Sequence, residues 1–202
     1  MKWAAIVLCC SALSGAEPRL FFSKSFPGSS PAYVAITVEQ DCAAEYKEAT
    51  DDDRPLKLQL SAAEAGEMFA LADKLDRFKR SLESPLPVAK MGMKTFRFEN
   101  GAEKNEAAFN FSEDLDARSL ADWFERISET GQSYWALERA VKYDKLGVNK
   151  ALLQFNISIE RKRLVSAAMF LPMLDRVAKN ESYLNMARAR AASLAEAIRA
   201  GK

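Results

Sequence analysis

The dipeptide Asn100-Gly101 lies between two segments in which aromatic and polar residues alternate. Asn-Gly is the strongest short-range signal of a β-hairpin, because both central residues of a type I′ turn need a positive φ. A two-residue loop at this point pairs Glu99 with Ala102 and predicts two strands within residues 94–111. One face of this hairpin then carries apolar side chains: Phe96, Phe98, Ala107, Phe109 and Phe111. A one-residue slip would turn the aromatic side chains of one strand toward water, so the buried face is well specified.

A second hairpin is predicted over residues 33–47, and its loop contains Cys42. A two-residue loop would bring charged residues of the second strand onto the apolar face of the first. A three-residue loop, 40–42, instead aligns the apolar residues of the first strand with Ala44 and Tyr46. In that geometry Cys42 takes the left-handed position normally held by glycine, where a side chain costs about 1–2 kcal/mol. We therefore predict that Cys42 is a tolerated replacement for glycine at an exposed turn.

Further patterns extend this β-structure and then replace it with helix. Residues 56–60 alternate leucine with polar residues, which predicts a strand. Ser61 and Glu64 match a capping box, and an apolar stripe at helical spacing follows them. Helical periodicity dominates from Ser112 onward. The sequence therefore predicts an α+β fold: an antiparallel sheet built from two β-hairpins and flanking strands packed on a helix, followed by a mostly α-helical C-terminal half.

The same patterns divide the chain into a leader (1–16), an α+β domain (17–130) and a helical C-terminal region (131–202). Gly131 is the expected break between helices at the second boundary. The helical region could form a separate domain or pack on the first, and both arrangements stay open. Residues 149–163 fit a strand by alternation and a helix by spacing; helix is favoured because the neighbouring segments are helical.

The leader has the composition of a secretory signal peptide. It carries Lys2, an apolar run that is too short for a membrane span, and small residues before the expected cleavage near Ala16. We therefore expect an exported protein, periplasmic or secreted. A lipoprotein acylated at Cys9 or Cys10 is the less favoured alternative, because either cysteine would leave a very short apolar run.

The charge balance and the absence of histidine exclude several classes of function. Loss of Lys2 with the leader leaves 28 basic residues of the original 29, against 28 acidic residues. A neutral chain has no overall attraction to nucleic acid. The chain has no histidine, so Ser-His-Asp catalysis, Cys-His catalysis and histidine-ligated zinc are excluded. No cofactor or metal is predicted, and no catalytic residue is assigned.

Cys42 is the only cysteine that remains after cleavage, so an intramolecular disulfide is impossible. A monomer is predicted, with a disulfide dimer through Cys42 as the alternative. Catalysis by the Cys42 thiol is not expected, since no histidine or basic neighbour is present to lower its pKa.

Two acidic stretches are candidate cation sites. Asp51, Asp52 and Asp53 are adjacent, so their side chains point in different directions, whereas calcium requires six to eight oxygens from a spaced loop. Glu113, Asp114 and Asp116 lie where a helix is expected to begin, a position at which the helix dipole favours acids. Both stretches are predicted to be structural.

Two further groups of residues have equally ordinary interpretations. Asn110, Asn156 and Asn180 each begin a glycosylation acceptor triplet, which matters only in a eukaryotic secretory pathway. Tyr134 and Trp135 lie near Gly131 and could line a ligand groove, but aromatic residues at this spacing more often belong to a core. We predict the core assignment.

Residues 19–130 resemble a family of uncharacterised domains found in exported bacterial proteins. The matching residues are Pro31, Tyr33, Asp41, Tyr46, Ser61, Glu64, Asn100-Gly101 and Trp123 to Ile127. The chain departs from the family pattern at Cys42, where the family has glycine. The resemblance implies a fold and an exported location, but it implies no site because the family has no assigned activity.

Two classes of function remain. A non-enzymatic binding or interaction protein of the bacterial envelope or periplasm, with an unknown ligand or protein partner, is favoured by the missing histidine and cofactor motifs. The alternative is a hydrolase that uses two carboxylates converging in a cleft, about 5–10 Å apart.

Overall fold

The computed structural model describes residues 17–201, so the predicted leader lies outside the described residues. The strands are β1 (Arg19–Ser25), β2 (Tyr33–Glu39), β3 (Ala43–Lys47), β4 (Leu56–Gln59), β5 (Met93–Asn100) and β6 (Glu103–Phe109). The α-helices are α1 (Ala62–Lys74), α2 (Leu115–Tyr143), α3 (Val148–Glu160), α4 (Leu171–Lys179) and α5 (Asn185–Arg199). The predicted α+β fold is confirmed, and α3 shows that residues 149–163 are mainly helical.

The six strands form one antiparallel sheet in the order β4-β3-β2-β1-β5-β6. The first four strands are sequential neighbours. Helix α1 then returns the chain to the other side of β1, where β5 and β6 form the last hairpin. Ser61 begins α1 with the predicted capping box: its hydroxyl accepts from the Glu64 N–H, and the Glu64 carboxylate accepts from the Ser61 N–H.

The β2–β3 hairpin has the predicted three-residue loop. Val38 pairs with Ala44 and Ile36 with Tyr46, and Cys42 has a φ of +72°. The left-handed conformation inferred for Cys42 from the apolar pattern is therefore confirmed. Its side chain is half-buried against the core, however, and is thus less exposed than expected for a turn residue.

The β5–β6 hairpin has the predicted faces but a different register. Asn100 pairs with Glu103, so the two-residue loop is Gly101-Ala102 rather than Asn100-Gly101. Gly101, with a φ of +58°, is the first residue of that loop, the position at which a type II′ turn requires glycine. The shift moves the pairing by two residues and therefore leaves every side chain on its predicted face. The aromatic pattern could not distinguish the two registers.

Helix α2 runs through Gly131 without a break, so the predicted helix boundary at this residue is wrong. A Cβ atom at Gly131 would lie 2.3 Å from Cδ1 of Tyr46. Glycine is required here because α2 crosses β3 at very close approach, and not because the helix ends. The expected domain boundary near residue 130 falls inside this helix.

Helix α2 contributes to two apolar cores. Its first half and α1 cover one face of the sheet, where Phe124 stacks on Phe22 with ring centroids 4.8 Å apart. Its second half packs with α3, α4 and α5 around a second apolar cluster, in which the ring centroids of Phe155 and Phe170 are 4.2 Å apart. None of the helices in residues 17–201 is long and apolar enough to cross a membrane.

The contact between Gly131 and Tyr46 predicts that two glycine-to-alanine substitutions in helices change the free energy of unfolding in opposite directions. We expect Gly131→Ala to lower the free energy of unfolding by about 2–3 kcal/mol, because the new methyl group overlaps the Tyr46 ring. The matched control is Gly66→Ala in α1, where a Cβ would meet nothing within 4 Å. This control should raise the free energy of unfolding by about 0.5–1 kcal/mol through helix propensity. Urea unfolding measures both values, and a stable Gly131→Ala protein would contradict the contact.

The conformation of Cys42 predicts a modest stabilisation by glycine. We expect Cys42→Gly to raise the free energy of unfolding by up to about 1 kcal/mol, because relief of left-handed strain exceeds the added freedom of the unfolded chain. Cys42→Ala removes the thiol but keeps a Cβ atom, so it should not raise the free energy of unfolding. Equal effects of the two substitutions in urea unfolding would show that strain at this residue is not the cause.

Candidate functional site

Two lysines interrupt the apolar face of the sheet. Successive rows of paired residues cross β2, β1 and β5 on this face, and the first two rows are apolar: Val38, Leu20 and Phe98, then Ile36, Phe22 and Phe96. In the third row Val34 is followed by Lys24 and Lys94, which are directly opposite each other. Because side chains alternate along a strand, both lysines point to the same side as the buried phenylalanines. We call Lys24 and Lys94 the lysine pair.

Lys94 is the more buried member of the pair, with 9% of its surface exposed. Its Nζ donates a hydrogen bond to the Asn110 carbonyl at 3.0 Å and lies 5.9 Å from the centre of the Phe109 ring. Burial lowers the pKa of Lys94 and the positive charge of Lys24 lowers it further, whereas the carboxylates of Glu125 and Glu83 act in the opposite direction. Within the described chain, no carboxylate oxygen lies within 4 Å of this ammonium group.

Glu125 of α2 is the carboxylate that faces the lysine pair. Its Oε1 lies 3.4 Å from Nζ of Lys24. Glu129, one helical turn later, is instead held by Arg163, whose Nη2 lies 2.8 Å from Oε1 of Glu129. Among residues 17–201, one carboxylate therefore lies at ion-pair distance from the two positive charges of the pair, and Glu125 lines both cavities that flank it.

The smaller cavity, which we call the loop cavity, has a volume of about 280 Å³ and lies beside Lys24. Phe22 and Val34 form its apolar side, while Ser128 and Gln132 of α2 form a polar side. Four residues of the β1–β2 loop border it: Phe26, Ser29, Ser30 and Pro31. This cavity is small for an organic ligand, since ligand sites usually have volumes of about 300–1,000 Å³.

The larger cavity, which we call the helix groove, has a volume of about 840 Å³ and lies between the end of β6 and the first turns of α2. Lys94 and Glu125 both line it. Its apolar lining consists of Met91, Phe109, Phe111, Leu115, Ala121 and Trp123. The groove therefore combines an under-neutralised lysine with a long apolar wall.

Tyr46 of β3 and two polar residues of α2 that line the loop cavity make separate local hydrogen bonds. The Tyr46 hydroxyl donates to Oε1 of Glu48 at 2.8 Å, and Gln132 donates to the Ser128 hydroxyl at 3.0 Å. Burial raises the pKa of Tyr46 well above its ordinary value, and Glu48 raises it further. Tyr46 therefore stays protonated and donates to Glu48 at the end of β3, while its ring packs against α2 at Gly131.

The acidic stretches identified from the sequence have structural roles. Asp52 accepts a hydrogen bond from the Arg54 N–H in a turn. Asp114 caps α2 by accepting from two backbone N–H groups, and the Arg80 guanidinium beside it lowers the pKa of its carboxyl group. In residues 17–201, no three histidine, cysteine or acidic side chains come together in a way that could hold a metal ion.

The aromatic residues near Gly131 belong to the cores, as predicted. Tyr134 contacts Phe170 with ring centroids 5.5 Å apart, and Trp135 contacts Tyr46 at 5.1 Å. Both side chains are partly buried against the apolar clusters.

The lysine pair was not predicted from the sequence, although the alternation of side chains along each strand indicates that both lysines belong to the buried face. Lys24 follows Phe22 by two residues and Lys94 precedes Phe96 by two, so alternation alone assigns both to the buried face. Their pairing across β1 and β5 could not be read from the sequence, because these strands are separated by three others and a helix. The approach of Glu125 depends on how α2 lies on the sheet.

Comparisons with known protein families, with curated proteins and with solved structures found no match to this chain. The functional assignment therefore depends on the geometry of the site.

The lysine pair predicts opposite stability effects for two substitutions. We expect Lys94→Met to leave the free energy of unfolding unchanged or to raise it by up to about 1 kcal/mol, because it removes a desolvated charge opposite a like charge. Glu125→Gln should lower the free energy of unfolding by about 0.2–1 kcal/mol, the range for partly exposed ion pairs. This loss should be smaller at high salt, because salt screens the ion pair. Urea unfolding at two salt concentrations measures both. A loss of more than about 1 kcal/mol in Lys94→Met would show that Lys94 stabilises the fold.

Proposed function

We propose that this chain is an exported, non-enzymatic binding protein of the bacterial envelope or periplasm that binds a small organic anion at the lysine pair. One observation carries the proposal: two lysines lie opposite each other on the buried face of the sheet, and among residues 17–201 a single carboxylate, that of Glu125, lies at ion-pair distance from the pair. Like charges directly opposite each other are unfavourable in a sheet, and a buried ammonium group needs partners. Departures from stable packing of this kind are typical of functional sites.

The chemistry of the lysine pair favours an anion with oxygen acceptors. An ammonium group has three donors, and Lys94 uses one of them for the Asn110 carbonyl. A carboxylate or phosphate in the helix groove would accept from the remaining donors and supply the missing negative charge. The volume of the groove, about 840 Å³, is in the range of organic-ligand sites.

The proposed location depends on the leader. Residues 1–16 have a basic start, an apolar run and small residues before Glu17, as in secretory signal peptides. The intact mass of the protein recovered from the periplasm should correspond to a chain that begins at or near Glu17. A mass that includes Met1 or a lipid would contradict this part of the proposal.

The rival hydrolase has weaker support. Glu125 and Glu129 both line the loop cavity, so two carboxylates do converge there. Each, however, has a cationic partner, Lys24 or Arg163. A general acid of a glycosidase needs the opposite environment, one that disfavours the ionised form.

Anion binding is tested by NMR titration of the mature chain with acetate and with inorganic phosphate at low ionic strength. We expect saturable shifts at residues around Lys24 and Lys94, with a dissociation constant of about 1 mM, as is reasonable for so small a ligand. Lys94→Met should abolish these shifts, because the most buried donor is lost. Glu125→Gln should tighten binding by roughly threefold, because the competing carboxylate is neutralised.

The matched control is Lys57→Met. Lys57 is on β4 with 80% of its side chain exposed, so this variant removes one positive charge away from the site. It should bind like the original protein. Absence of saturation with either anion, or equal losses in Lys57→Met and Lys94→Met, would refute the proposed function.

A further inference from the structure

We propose that the anion is the head group of an amphiphilic carboxylate whose unbranched apolar chain lies in the helix groove. This inference rests on the proposed function and adds the chemical class of the ligand. It depends on three properties of the groove: where its positive charge lies, what its walls offer, and how its volume compares with that of the loop cavity.

Lys94 is the most buried of the three cationic residues that line the groove. The Arg126 guanidinium stacks on Trp123 at 4.2 Å and donates to the Lys162 carbonyl at 3.0 Å, while its Nε has no hydrogen-bond partner in the described chain. Arg118 is exposed to solvent, and Asp122 is paired with Arg163. Lys94 is instead 9% exposed and has no carboxylate at ion-pair distance in the described chain. An anionic head group at Lys94 would therefore contact a desolvated ammonium group, and the guanidinium groups of Arg118 and Arg126 line the same groove.

The groove has an apolar wall beyond Lys94, beside the polar and charged residues that also line it. Phe109 lies directly opposite Lys94 in the sheet, and Phe111 follows it on the same side of the chain. Leu115 and Met91 line the same groove with 72% and 53% of their surfaces exposed. Exposed apolar side chains that share one groove are typical of a binding surface.

Polar and charged side chains also line the groove, but several of them are already engaged: Asp122 is paired with Arg163, and Glu125 with Lys24. Two serines line the groove; Ser112 is buried, and its hydroxyl accepts from the Asp114 N–H. Specific recognition of a polar ligand requires several placed donors and acceptors. An unbranched hydrocarbon chain requires none, and it gains affinity from each methylene that leaves water.

The loop cavity is a poorer place for such a chain. Its volume of about 280 Å³, against about 840 Å³ for the groove, lies just below the usual range of organic-ligand sites.

The test is a series of linear carboxylates from acetate to decanoate, titrated below their micelle concentrations into the mature protein. We expect the affinity to rise by roughly two- to fourfold per added methylene over the length of the groove. The double variant Leu115→Gln with Met91→Gln should flatten this rise and leave the affinity for acetate unchanged. Both side chains are more than half exposed, so the variant should fold, which circular dichroism verifies.

Two control variants identify the cavity that holds the chain. Phe26→Gln alters the border of the loop cavity, and Leu153→Gln replaces an exposed leucine on α3. In both variants the affinity for linear carboxylates should still rise with chain length as in the original protein. If acetate binds but affinity is independent of chain length, or if Phe26→Gln rather than the groove variant removes the rise, the groove assignment is wrong and the anion site stands. If no carboxylate binds, the proposed function fails as well.

Discussion

The contact between Gly131 and Tyr46 determines how helix α2 lies on the sheet, and the rest of the structure depends on it. The helix backbone approaches the aromatic ring so closely that no Cβ atom fits at residue 131. Tyr46 is fully buried, and its raised pKa keeps the hydroxyl protonated, so that it can donate to Glu48. Because α2 belongs to both cores, this one contact also relates the sheet to the C-terminal helices.

The same contact positions the candidate site. Residues 125, 128, 129 and 132 recur at helical spacing along the side of α2 that borders the loop cavity. Once Gly131 is held against Tyr46, the preceding turns extend along the sheet toward the row that contains the lysine pair, and Glu125 lies beside Lys24. The position of the Glu125 carboxylate beside Lys24 thus follows from the packing of Gly131 on Tyr46, six residues further along α2.

Sequence patterns predicted those features that depend on side-chain alternation within one hairpin. The left-handed Cys42 and the buried face of the β5–β6 hairpin followed from the requirement that apolar residues share a side. The register of that hairpin did not, because a two-residue shift preserves alternation. Gly131 was misinterpreted because glycine can end a helix or permit close approach, and only the position of Tyr46 distinguishes the two roles. The partners of Lys24 and Lys94 likewise belong to distant segments.

The position of the lysine pair explains how the sheet can tolerate it. The two apolar rows lie under Phe124 and the other buried residues of the first core, where an unpaired ammonium group would be strongly unfavourable. The lysine row is the third, at the end of the sheet where β1 terminates and both cavities open. Lys24 retains about a third of its side-chain exposure there, while Lys94 is covered by Phe109 and the Asn110 carbonyl. Lys24 is therefore partly solvated and paired, whereas Lys94 is desolvated and has no carboxylate at ion-pair distance among residues 17–201. Lys94 is thus the member of the pair that gains more from a bound anion.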